Sequence, residues 1–88
     1  MQPLHQIVNR RVQSITKAEL MEQSKKFQVA LTEKQADQFI EWLANHEVDL
    51  FSERKRTELF QAADTILGKR EAAALEMMLR PYMHFLKL

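Results

Sequence analysis

The hexad Ile15-Thr16-Lys17-Ala18-Glu19-Leu20 returns sixteen residues later as Leu31-Thr32-Glu33-Lys34-Gln35-Ala36. Each copy is a helix-start signal. A threonine hydroxyl accepts a hydrogen bond from a free N–H of the first turn, and the Glu or Gln three residues on reaches back to the threonine N–H. Ile15 with Leu20, and Leu31 with Ala36, supply an apolar staple across each start. Two starts this close leave room only for short helices, which must pack on one another. Beyond the boxes the stretches diverge, with Met21-Glu22-Gln23 against Asp37-Gln38-Phe39. The boxes therefore read as two independent caps and not as an internal repeat.

The remaining pattern is helical throughout. Pro3 suits a first helical position, and Leu4, Ile7, Val8 and Val12 form one stripe of a helix ending near Gln13. The second helix runs from Lys17 to about Phe27, with Leu20, Met21, Ser24 and Phe27 on one face. The third runs from Glu33 to about Ala44, with Ala36, Phe39, Ile40 and Leu43 inward, Trp42 to one side, and Asn45 or His46 as its end. Glu47 to Phe51 is too short to build a sheet and reads as an extended link pinned by Val48 and by Leu50 or Phe51. Ser52 then caps a fourth helix to Leu67, with Leu59, Phe60, Ala63, Ile66 and Leu67 as its stripe. Gly68, the only glycine, stops that helix through a left-handed residue. A fifth helix starts near Lys69 or Arg70 and carries Leu75, Met78, Leu79, Tyr82, Phe85 and Leu86. Pro81 removes a hydrogen bond and crowds the turn before it, so a kink or break is predicted there. The fold class is all-α, a compact bundle of four to five short helices. Its core spans residues 4–67 and a helical tail spans 69–88.

Composition narrows the function classes. The 88 residues fit one domain. Without cysteine there is no disulfide, thiolate nucleophile or cysteine-ligated metal. One glycine cannot build a phosphate-cradling loop. His5, His46 and His84 stand far apart and none has a second ligand at helical spacing. Ser14, Ser24 and Ser52 have no histidine near them in sequence to act as base. No enzyme activity, catalytic residue, cofactor or metal is expected. Met1 to Arg11 lacks the apolar stretch of a signal peptide, and no run approaches a membrane span, so a cytoplasmic protein without membrane contact is expected.

Three features carry a functional reading beside a structural one. Arg54-Lys55-Arg56, with Lys69 and Arg70, form the candidate nucleic-acid contact. The competing reading is a solvated face paired with Glu53 and Glu58, favoured because 13 basic residues are matched by 12 acidic ones. Trp42 is either an anchor for a partner or the edge of the core. The stretch from Met77 to Leu88 is more apolar than one inward face requires. Met77, Tyr82, Met83, Phe85 and Leu88 thus either cover the chain's own core or meet a partner protein or a second copy as a homodimer.

Gln6-Ile7-Val8-Asn9, the two threonine boxes, and Asp49-Leu50-Phe51 followed by Arg54 or Arg56 before Leu59 occur in this order. Together they resemble the small YqfT-like proteins of Bacillus and its relatives, a family of unknown function. The resemblance covers roughly residues 4 to 67. It implies a short, cytoplasmic, all-helical bacterial protein and brings no catalytic residues with it. The leading expectation is a non-enzymatic module that binds protein or itself, with a nucleic-acid accessory role as the alternative.

Overall fold

Both threonine boxes close. Thr16 Oγ1 accepts the Glu19 N–H at 3.1 Å, and Glu19 Oε1 accepts the Thr16 N–H at 3.2 Å. Thr32 Oγ1 accepts the Gln35 N–H at 3.1 Å, and Gln35 Oε1 accepts the Thr32 N–H at 2.9 Å. The structure, a computed structural model, describes the backbone of residues 4–85 and the side chains of residues 4–81. Five helices follow in order: α1 Leu4–Gln13, α2 Lys17–Lys26, α3 Glu33–Asn45, α4 Glu53–Leu67 and α5 Lys69–Phe85. There is no strand among the described residues. Pro3 lies outside them.

The helix ends follow three different solutions. Phe27 closes α2, and Gln28 adopts a left-handed backbone with φ 58°. The Gln28 N–H then donates to Lys25 O, and the Val29 N–H to Ser24 O, each at 3.0 Å. This is a Schellman arrangement built without glycine, at a cost of about 1–2 kcal/mol for a side chain in that region. α3 ends at His46 in an extended conformation, φ −133°, and not through a left-handed asparagine. Gly68 does more than stop α4. Its N–H donates to Asp64 O at 3.1 Å, the last bond of α4, and its carbonyl accepts the Ala72 N–H at 2.8 Å, the first bond of α5. One residue joins two helices, at φ 110° and ψ 163°. That region is essentially restricted to glycine and is not the left-handed helical stop the sequence predicts.

α5 is not broken at Pro81; it continues to Phe85. The carbonyl that Pro81 leaves without its helical donor is that of Met77.

The core collects one stripe from each helix. Leu20, Ala36, Phe39, Leu43, Leu59, Ala63 and Leu67 come from α2, α3 and α4. Ala72, Leu75 and Leu79 bring α5 into the same core, which therefore extends past residue 67. Ile15 and Leu31 pack against it, so both members of each staple are in place. Successive helices from α2 to α5 pack on one another. In α1 the apolar stripe divides. Val8 and Val12 are buried, but Leu4 and Ile7 are 40% and 50% exposed.

What anchors α1 is polar. Asn9 and Gln13, one turn apart, bind the main chain of the link between α3 and α4. Asn9 Oδ1 accepts the Leu50 N–H at 2.9 Å, and its amide donates to Asp49 Oδ1 at 3.1 Å. Gln13 Oε1 accepts the Val48 N–H at 3.0 Å, while its amide donates to the carbonyls of His46, at 2.8 Å, and Leu43. Leu50 is fully buried and Val48 nearly so, which is only affordable because these side chains stand in for a neighbouring strand. His5 stacks on Phe51 with ring centroids 4.1 Å apart, fixing the start of α1 to the end of the same link.

Candidate functional site

The one tryptophan sits where α3 and α4 meet the surface. Trp42 is half-buried and packs against the core, parallel to Phe39 with centroids 6.4 Å apart. His46, one turn on, is exposed and stacks on the indole at 4.1 Å. Its Nδ1 lies 2.8 Å from the Trp42 carbonyl, an arrangement that satisfies a C-terminal carbonyl of α3. The two rings thus form one stack. Thr65 and Ile66 of α4 complete a shallow surface with them. The charged groups along it are Glu41 and Glu58, beside polar Gln38, Asn45 and Gln61. Part of Trp42 thus closes the edge of the core and part of it faces outward.

The five candidate cations do not form one face. Lys55 is bound to Glu47 at 2.7 Å, and Arg56 donates to the Leu50 carbonyl at 3.1 Å. Arg56 is thus a fastener for the α3–α4 link. Arg54 is exposed at the start of α4, whereas Lys69 and Arg70 are exposed at the start of α5. The 15 residues of α4 hold these groups roughly 22 Å apart. Glu47, Lys55 and Arg56 act together, and nothing in local spacing signals that, because Glu47 and Lys55 belong to different elements.

Met77 is well exposed on α5, off the buried stripe, as its position implies. Tyr82, Met83 and Phe85 lie on the helical backbone of α5, but their side chains, like all of Leu88, fall outside the described residues. His84 does too. No three His, Asp or Glu side chains converge as a metal site among the described residues. No described helix is long and apolar enough to cross a membrane.

The surface charges are otherwise arranged to tie helices together. Lys17 reaches from α2 to Asp37 at 3.2 Å and Glu33 at 3.6 Å on α3. The hydrogen bond to Asp37 raises its pKa. Glu19 is held below the usual carboxylate value by the Thr16 N–H and by Arg11, whose guanidinium lies 2.6 Å away. At Asp49 burial pushes the carboxyl up. Hydrogen bonds from the Phe51 N–H, at 3.0 Å, and from Asn9, together with nearby Lys55 and His5, outweigh it and leave the pKa lowered.

A family model described as "Protein of unknown function (DUF2624)" matches residues 1–83. The chain belongs to this family. The match runs through most of α5, beyond the residues 4–67 that carry the resemblance in the sequence. No curated protein and no solved structure matches this member of DUF2624.

Proposed function

We propose that this DUF2624 protein is a non-enzymatic module for protein–protein interaction or self-association, acting in the cytoplasm. The observation that supports the reading is the Trp42–His46 stack with Ile66, a preformed aromatic surface bounded by Glu41 and Glu58. Tryptophan concentrates binding energy at interfaces, and a rigid ring loses little freedom when it is covered. The exposed Met77, Leu4 and Ile7 add apolar area elsewhere on the surface. The finer YqfT-like placement is part of the same proposal and rests on the ordered string of motifs from Gln6 to Leu59. Separation of Arg54 from Lys69 and Arg70 leaves the nucleic-acid alternative without a concentrated basic face.

The test combines light scattering with a pull-down from native cells. Thr65→Lys places a charge on the surface at an exposed position and should leave the melting temperature unchanged. Stoichiometric self-association or a retained protein, lost in Thr65→Lys, supports the reading. A strict monomer that retains nothing overturns it, and so does retention that Thr65→Lys leaves intact together with Trp42→Phe.

A further inference from the structure

A space of about 190 Å³ lies between α1, α2, α3 and α5. Val8, Val12, Leu20, Phe39, Leu43, Leu75 and Leu79 all line it. Each is 8% exposed or less, so together they form the floor of a pocket that opens to the surface past Arg11, Ile15, Glu19, Gln23 and Met78. Among the described residues, the polar groups along the lining are Arg11, Glu19 and Gln23. Over this apolar floor water finds few hydrogen-bond partners, so an apolar group gains by covering it.

We propose that this space is a binding site for a small uncharged amphiphile: an aromatic ring or short alkyl chain ending in a hydrogen-bonding group. Its size sets the upper limit, since it lies below the usual range of roughly 300–1,000 Å³ for cofactor-sized ligands. The rim sets the charge. Arg11 and Glu19 are already paired at 2.6 Å, so the mouth offers one cation and one anion with no net charge to select an ion. Gln23 supplies a neutral donor and acceptor beside them. An apolar body enters, and its hydroxyl or amide stays at the rim. This site is separate from the Trp42 surface on α3 and α4, and its existence does not depend on the interaction reading.

The probe is benzyl alcohol, titrated into the full chain and followed by methyl NMR. Saturable shifts are expected at Val8, Val12, Leu20, Leu75 and Leu79, with little change at Leu50 and Leu59, which are buried but do not line the space. At ten times Kd the melting temperature should rise by roughly 5–10 °C. Benzoate should bind at least tenfold more weakly. Ile15→Phe, at the half-buried edge, and Val12→Leu should each fill part of the space and weaken benzyl alcohol binding; at least one must do so by tenfold or more. Absence of saturation, shifts spread equally to Leu50 and Leu59, or binding unchanged in both filled variants overturns the site. Benzoate binding as tightly as benzyl alcohol overturns the assignment to an uncharged ligand.

Discussion

The Asn9 side-chain oxygen accepts the Leu50 N–H at 2.9 Å across 41 residues of chain. Leu50 has no exposed surface, so its amide relies on Asn9 for an acceptor. Asn9→Ala should therefore lower stability by about 1–3 kcal/mol, the cost of stranding a buried donor. Urea melts check this. A loss under about 0.5 kcal/mol would mean that the Leu50 amide finds another acceptor.

Glu19 and Gln35 occupy equivalent places in the two boxes but have different tertiary partners. Glu19 meets Arg11 at the surface, whereas the Gln35 amide donates to the Leu67 carbonyl at 3.2 Å, at the C-terminal end of α4. Gln35→Glu keeps the box acceptor, loses that donor and puts a negative charge at the negative end of a helix. A loss of about 1–2 kcal/mol is expected. Glu19→Gln removes an exposed, solvent-screened pair and should cost clearly less than Gln35→Glu. Equal losses in thermal melts would show that the Leu67 contact is energetically idle.

Gly68→Ala should destabilise the protein by about 1–3 kcal/mol, because φ 110° with ψ 163° suits glycine alone. An added Cβ would also stand 2.7 Å from Glu71 Oε2, the far end of a flexible side chain. Rotation of Glu71 relieves that contact but not the backbone. Gly68→Ala with Glu71→Ala should thus stay destabilised; full rescue would assign the cost to the contact. Gln28→Gly has the opposite sign, since a side chain already occupies a left-handed position there. A gain of about 0.5–1 kcal/mol is expected in the same melts.

Asp49 has a lowered pKa in the folded chain, with Asn9, the Phe51 N–H, Lys55 and His5 around its carboxylate. The unfolded chain therefore binds the proton more readily. The stability Asp49 contributes is complete above the ordinary aspartate value of about 3.9 and is lost as pH falls through the lower folded value. In urea melts from neutral to acid pH, the difference between wild type and Asp49→Asn should shrink below that value. Parallel curves over the whole range would contradict the assignment. Glu19 acts in the same direction and is common to both proteins.

The helix starts at Thr16, Thr32 and Ser52 were legible because a cap is made by groups three residues apart. The buried positions of α3, α4 and the first part of α5 were legible through helical periodicity. Trp42 was recognised as a candidate surface residue, but its stack with His46 shows only when the end of α3 is known. Arg54, Lys55 and Arg56 were grouped with Lys69 and Arg70 as one candidate contact beside the favoured reading of a solvated face; α4 separates the two groups, and Lys55 and Arg56 are used within the fold.

The sequence by itself determined where α2, α3 and α4 begin and which stripe of α3, α4 and the first part of α5 turns inward, since both depend on contacts within a turn or two. Tertiary structure alone decided what the polar side chains do. Asn9 and Gln13 replace a strand for the buried link, Gln35 caps α4, and Gly68 belongs to two helices at once. The partners of Asn9 and Gln13 lie 30 to 41 residues away, and no periodicity records a pairing at such a distance. The physical reason is that a buried backbone N–H must be satisfied by whichever acceptor the packed helices bring to it.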